Sequence, residues 1–461
     1  MSAEKGAWSS RFWTTTYSPL RAFWFLRSLY LLLAADLWFG MIEHGGRYGV
    51  GGFNVSHLPW LDLLLPVPSA ALYVGLLIAA SFLALLLGLG PAPRWLRLTL
   101  AAVYTFGWLL SIHDSYQHHY LLSWLLCWCA ALPDPSARRA LSSEPTSGWG
   151  LPMSAITCAI VYFFTGISKS ESDWRSGEAL RSLTRSAPPG SAHPGKFDGA
   201  RDLLLALGLD DASVWQLFAL ATIALQWTIA VAYLAAPLRD AQPSRARVWL
   251  CSLGLFGALS FHGVAELFHV FEIGLFSYYM AIVALLVLGP VSPWRPLTRA
   301  LAWLGEQITG PLDADAPRSL SLRELARPLG SALLLAAVGF TIPLPGAELA
   351  TCALALGVMA YSVVTLLHAR RAPDATVRGL DLLALQTTFC TFVLWLALTQ
   401  TSVPFDYYRR TAGELYRMGQ VQSALSLYRQ GERYAPAGES RAARIRELQR
   451  ELESSSHKRR D

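Results

Sequence analysis

Apolar residues gather along this chain in blocks of roughly 20, the length a helix needs to cross a bilayer. The blocks fall near residues 20–41, 69–89, 97–112, 119–132, 151–168, 213–236, 248–268, 270–289, 330–346, 348–368 and 379–399, about 11 in all. The pattern predicts an all-α fold, a polytopic integral membrane helical bundle. The blocks near 119 and 330 are short, and short spans can be broken or re-entrant where they line a cavity. Residues 293–329 read as an amphipathic loop, with PLDADAPRSLSLRELARPL suggesting a surface helix capped by Ser319 or Ser321, and 330–399 hold three further spans. From Gln400 the composition changes. TAGELYRMGQVQSALSLYRQGERYAP sets Ala412, Leu415, Gly419, Ala424, Tyr428 and Pro436 at spacings like those of a tetratricopeptide helix–turn–helix, and RAARIRELQRELE adds a charged third helix. One repeat cannot bury a core alone, so this small helical C-terminal tail, 400–461, must pack on the membrane domain or dock a protein partner through residues 405–461.

Basic loops give the orientation. Arg94 and Arg97, Arg138 and Arg139, Arg239 with Arg245 and Arg247, the block from Arg295 to Arg327, and Arg370, Arg371 and Arg378 alternate with loops that are poor in Lys and Arg or mixed in charge. The positive-inside rule puts the basic set, and the N-terminus with Lys5, Arg11 and Arg21, in the cytoplasm. Segments 42–68, 113–118 and 169–212 then face outward, as does the tail. The polar N-terminal segment carries no cleavage pattern behind a short apolar run, so the first helix is expected to remain as a span.

Composition supports the class: 53% of residues are hydrophobic and 15% charged, with a mean hydropathy of +0.35, where soluble domains carry about 25% charge. The 17 Trp suit aromatic belts at two interfaces, and the net charge of +6 reports cytoplasmic loops. No basic stripe interleaved with aromatics points to nucleic acid; the lipid bilayer is the expected surrounding. Cys127, Cys129, Cys158, Cys251, Cys352 and Cys390 all lie in apolar segments and read as small core residues. The arginine bias with high Ala and Leu content suggests a bacterial protein, hence an inner-membrane location with the active face outward.

The candidate chemistry centres on AIVYFFTGISKSESDWRSGEAL. Only four lysines occur, Lys5, Lys169, Lys196 and Lys458, against a background of arginine. Lysine, unlike arginine, can give up its proton when desolvated, so Lys169 at the mouth of a span is a candidate base; a snorkelling anchor is the plain alternative. Asp173 lies four residues on and would pair with Lys169 if the helix continued. Trp174 reads as an interfacial anchor. His118 and His119 open the block beginning near 119, and His262 lies toward the far end of its own block, followed by Glu266, His269 and Glu272. On the topology above, these ends and Lys169 point to one face, where His and Lys can form a proton-transfer site. A metal site built from His113, His118, His119, His262 and His269 competes, but HxxxxHH is not a recognised ligand set and no HExxH occurs, so no metal is expected. A transporter is disfavoured because no inverted repeat relates the halves.

TGISKSESDWRSGEAL resembles the signature of vitamin K-dependent γ-carboxylase and the wider horizontally transferred transmembrane domain (HTTM) family: Gly166, a lysine three residues on at Lys169, then Asp173–Trp174 and Gly177. YQHHYLL resembles that family's catalytic-histidine segment, which maps onto His119. SFHGVAELFHVFEIGLFSYYM resembles a further signature through His262 and Gly274, and LRSLYLLLAADLW fits through Arg27 and Asp36. The resemblance covers roughly residues 18–292, within a carboxylase-like transmembrane domain of residues 1–292. It implies Lys169 as the base that deprotonates a hydroquinone such as reduced vitamin K or menaquinol, with His119 and His262 as further catalytic residues and O2 and CO2 as co-substrates. Gly166, Asp173, Trp174, Gly177 and Gly274 would support the site. The carboxylase has a second lysine where this chain has Ser168, and its large lumenal β-rich part has no counterpart here. Oxygenation and epoxidation of a lipid-soluble quinol is the expectation that follows, with carboxylation or other carbanion chemistry beyond it. The alternative is a non-catalytic membrane scaffold, lipid-binding or maturation-helper protein whose tail docks a partner.

Overall fold

The computed structural model describes residues 16–43, 45, 60, 63–66, 69–90, 93–110, 117–133, 137–142, 144–185, 197–238, 244–267, 275–309, 322–371, 378–400 and 402–457. These are nearly all helical, and the protein is a polytopic helical membrane protein. Each apolar block of the sequence holds a helix. In chain order these are α1 (Pro19–Asp36), α2 (Ala70–Leu89), α3 (Arg94–Leu109), α4 (Gln117–Ala131) and α5 (Gly150–Ser168). Next come α6 (Glu178–Arg185), α7 (Asp198–Ala206), α8 (Asp211–Ala235), α9 (Arg245–Leu267), α10 (Phe276–Val287) and α11 (Arg295–Thr309). The last six are α12 (Leu322–Gly339), α13 (Ala347–Arg371), α14 (Arg378–Thr399), α15 (Val403–Arg417), α16 (Val421–Glu432) and α17 (Ala442–His457).

Among the described residues, seven helices are long and apolar enough to span, fewer than the 11 blocks. The shortfall has physical causes. α3 and α12 carry Arg94 and Arg97, or Arg323, Glu324 and Arg327, in their first turns, which shortens the apolar length. α4 is short, and α10 meets α11 at a bend of 102°. Cys127 is exposed and Cys352 half-buried, while the other four cysteines are buried. In a membrane helix an apolar side chain can face outward at no cost, so the apolar setting of Cys127 did not make it core.

The chain divides into two compact units, residues 1–29 with 124–302, and residues 30–123 with 303–461. In the first, α5 and α9 pack on α8, and α10 packs on α9. A two-residue antiparallel pair, β1 (Thr16–Tyr17) and β2 (Thr146–Ser147), ties Thr16 to Ser147. Arg21, only 2% exposed, donates to the carbonyls of Leu286, Val287 and Gly289 at the end of α10. Those carbonyls have no partner within the helix, and a cation there also meets the negative end of the helix dipole.

In the second unit α12 packs on α13 and α14, and α13 and α14 on α2. Ser331 Oγ donates to the Ala384 carbonyl at 3.0 Å and lies 2.8 Å from Thr388 Oγ1, joining α12 to α14 in an apolar setting. The turn into α13 needs Gly346: its φ is +84°, and a Cβ there would run into the backbone of Ala71. The tail packs at this end of the unit, where α2 and α13 begin. Tyr408 donates to the Pro343 carbonyl at 2.7 Å, and Arg410 pairs with Glu43 at 3.0 Å. Ala412 and Ala424 are buried where α15 meets α16, and Gly419 takes the left-handed turn between them, φ +76°. The hairpin thus sits on its own membrane unit, as a lone helical pair must to cover its apolar face.

Gly346→Ala should lower the thermal stability of the detergent-solubilised protein by about 1–3 kcal/mol, the scale of a non-glycine residue held in the left-handed region. Gly357→Ala, in α13 with nothing within 4 Å of an added Cβ, should be neutral or stabilising by about 0.5–1 kcal/mol. Parallel melting curves of the two variants check both signs.

Candidate functional site

The signature segment is organised by two close approaches to α8. A Cβ on Gly166 would collide with the Trp227 indole, and one on Gly177 with the backbone of Trp215; Gly177 also takes φ +83°. Only glycine satisfies both demands at position 177. Trp215 and Trp227 are twelve residues apart on α8, about 18 Å along its axis. Lys169 therefore lies on a stretch of chain pressed against α8 on both sides. Arg181 adds an ion pair with Asp211 at 3.1 Å. Asp210 caps α8 by accepting from the Ser213 N–H at 2.8 Å.

α5 stops at Ser168, and Lys169 is its C-cap. Its N–H still reaches the Thr165 carbonyl at 3.1 Å, and the Ser170 hydroxyl caps the Gly166 carbonyl at 2.8 Å. Because the helix ends here, Asp173 is not one turn above Lys169. The Asp173 carboxylate accepts from the Ser172 hydroxyl at 3.2 Å, and among the described residues Lys169 has no carboxylate partner. Its Nζ instead lies 5.2 Å from the centre of the Trp174 ring, so Trp174 does more than anchor an interface. Burial pushes the Lys169 pKa below the ordinary lysine value. The Trp174 ring favours the ammonium, by about 0.5–1 kcal/mol at exposed sites, and so acts against the effect of burial.

Deeper on α5, Tyr162 packs on α8 and α9. Its ring stacks on Tyr233, and its hydroxyl lies 2.7 Å from His262 Nε2. All three side chains are buried, and Phe276 covers the imidazole edge-on. Which of the two groups donates is set by the tautomer of the imidazole, and in either arrangement one O–H or N–H of the pair is left without an acceptor among the described residues. Nδ1 is buried without a hydrogen-bond partner among the described residues, as are the Tyr233 and Ser277 hydroxyls. Between these levels Thr165 donates to Gln226 Oε1, placing a buried amide in the apolar interior. Tyr162 precedes Lys169 by seven residues, about 10 Å along the helix. No described hydrogen bond joins Lys169 to His262.

His119 belongs to the second unit. It opens α4 and is 2% exposed. The Tyr104 hydroxyl of α3 lies 2.7 Å from its Nδ1. Beside the pair is a narrow recess, about the size of one water molecule, walled by Met41, Tyr73, Leu77, Val103 and Trp108. Of the other family-matched positions, Arg27 lies 4.4 Å over the Phe23 ring, and the buried Asp36 leads α1 into a π-helical turn, Leu37–Met41. Gly274, His113, His269, Glu272 and the His118 side chain fall outside the described residues. Among the described residues, no three His, Cys, Asp or Glu side chains gather to hold a metal ion.

Sequence reasoning missed Tyr162, Tyr104, Gln226 and Tyr233. Each had a signal, a polar atom inside an apolar block, where hydrogen-bond capacity has to be met by a neighbour. Tyr162→Phe should remove the hydrogen bond to His262 Nε2 and lower stability by about 1–3 kcal/mol, read from thermal melts. Gly177→Ala should loosen the 169–185 segment from α8, seen as faster limited proteolysis within it.

Comparison with curated proteins and with solved structures returns no match. The model of the HTTM domain, a domain found in vitamin K-dependent carboxylase-related proteins, matches residues 17–291, more than half of the chain. The matched region contains Lys169, both tyrosine–histidine pairs and the glycine contacts on α8. The chain belongs to the HTTM family.

Proposed function

We propose that this protein is a membrane enzyme that oxygenates a lipid-soluble hydroquinone, with Lys169 as the base. The observation that carries the proposal is the Lys169 amine: half-buried, lowered in pKa, without a carboxylate partner among the described residues, and held by two glycine contacts that leave little freedom. Such an amine can remove a phenolic proton from a reduced naphthoquinone of the vitamin K or menaquinol class. The deprotonated quinol reacts with O2; one oxygen atom enters the ring as the epoxide and the other leaves as water, so quinol plus O2 balances against epoxide plus water. In this reading His262 lines the same site and is a hydrogen-bonding group available to a developing oxyanion. His119 is assigned proton transfer by its match to the family's catalytic histidine. Carboxylation with CO2 as a second substrate is the further step of the same proposal, its acceptor a carbon acid. The location that fits the loop charges is a bacterial inner membrane with the active face outward.

A second reading is favoured by one observation, the tetratricopeptide-like hairpin α15–α16, which sits on the membrane unit and leaves Gln422, Ser423, Ser426, Arg429 and Gln430 of its second helix exposed. In that reading the protein is a scaffold or maturation helper, and residues 405–461 dock a protein partner.

In nanodiscs with reduced vitamin K or menaquinol, O2 and bicarbonate, the wild type should form epoxide, detected by mass spectrometry. Lys169→Ala should lower the rate by about 10²–10⁴-fold, the usual weight of a general base, and Lys169→Arg should not restore it because arginine keeps its proton. A pKa lowered by burial puts the free amine in play at lower pH. The wild-type rate should therefore rise with pH through a midpoint below about 10.4, the ordinary lysine value. Full epoxide formation by Lys169→Ala would refute the assignment. No epoxide from folded wild type, with loss of a bound protein on deleting 405–461, would favour the scaffold.

A further inference from the structure

α11 has no part in the chemistry above, yet its surface is divided into three stripes. Leu297, Leu301 and Leu304 recur at i, i+4 and i+7 and share one side of the helix. They are 47, 39 and 47% exposed. Thr298 and Ala302 lie one turn apart on a second side, which is turned inward at that end of the helix: Thr298 is fully buried and receives the Trp24 indole N–H at 2.9 Å, and Ala302 is half-buried. Arg295, Arg299 and Glu306 make the third stripe, all exposed. Trp303, 61% exposed, lies on the flank away from the protein side.

A soluble surface helix would show two stripes, one apolar and buried and one polar and exposed. Here the leucines are turned away both from the protein and from the charged side. The chain direction supplies the reason. α10 packs on α9, one of the spanning helices. After α10 the chain bends by 102°, so α11 runs across the direction of α10. α10 is too short to span by itself, but it is apolar and packs on a spanning helix, and a helix that leaves such a segment at about a right angle lies along the membrane surface. In that pose its three sides meet three different surroundings: protein at one flank, acyl chains below and water above.

We propose that α11 is an interfacial helix that seats Leu297, Leu301 and Leu304 in the lipid at the membrane face where α10 ends. The occupant of the leucine stripe is the bilayer itself. The exposed leucines suit acyl chains, and the charged stripe opposite suits water. This inference is independent of the quinol chemistry and stands or falls without it.

The test uses the full chain in nanodiscs of phosphatidylcholine with a minority of phosphatidylglycerol, on a background in which Cys127 and Cys352 are replaced. Spin labels are placed singly by Leu301→Cys, Leu304→Cys, Arg299→Cys and Glu306→Cys, all at exposed positions, with the thermal melt of each as a check on folding. Labels at 301 and 304 should relax with dissolved oxygen, which concentrates in lipid, and resist a water-soluble nickel chelate. Labels at 299 and 306 should show the reverse. Equal response to the chelate at all four positions would overturn the proposal by placing the stripe in water. Protection of 301 and 304 from both agents would overturn it by showing that protein, a second copy or another partner, covers the stripe.

Discussion

The first unit is arranged around a lysine held partly out of water at the end of a helix, with no carboxylate partner among the described residues. Moving a charged amine toward an apolar interior is expensive unless it is paired or loses its proton. The chain holds it there by ending α5 one residue early and pressing both flanks of the lysine against α8. Gly166 and Gly177 give the approach its closeness, and the two tryptophans of α8 give it bulk. A flexible lysine on a free helix end would extend to water. On this short and doubly anchored stretch it meets the Trp174 ring instead.

Much of this could be read from the chain, and what could not has a common cause. The apolar blocks gave the helices because a span is a local property of about twenty residues. Lys169 stood out because the chain otherwise uses arginine, and Gly166 and Gly177 stood out beside it. The end of α5 was not legible. SKSESDW is compatible with one more turn of helix, and only packing against α8 decides that Asp173 turns away. The tyrosine–histidine pairs were not legible either. Tyr162 and His262 are 100 residues apart, and nothing along one helix names the residue that will face it on another. Among the described residues fewer helices pass as spans than the chain has apolar blocks, because a run of hydropathy averages over the charges that open α3 and α12.

The two histidines are held alike, each by a tyrosine from a neighbouring helix, but through different nitrogens. Tyr162 meets Nε2 of His262, and Tyr104 meets Nδ1 of His119. The two rings are thus tethered by opposite edges. A tyrosine tether orients an imidazole in an apolar setting without bringing a charge of its own, as a carboxylate would.

Arg21 sets an order of events. Its acceptors lie 265 to 268 residues later in the chain. At about 5–20 residues per second of synthesis, the first helix stands in the bilayer for some tens of seconds before the end of α10 exists. Until then the guanidinium has none of these three carbonyls, and the nascent N-terminal helix must keep that residue in the wet interfacial layer. Closure of the first unit is thus a late event, timed by translation. A ribosome that stops short of residue 286 leaves a first helix whose arginine advertises the unfinished state to whatever surveys the membrane.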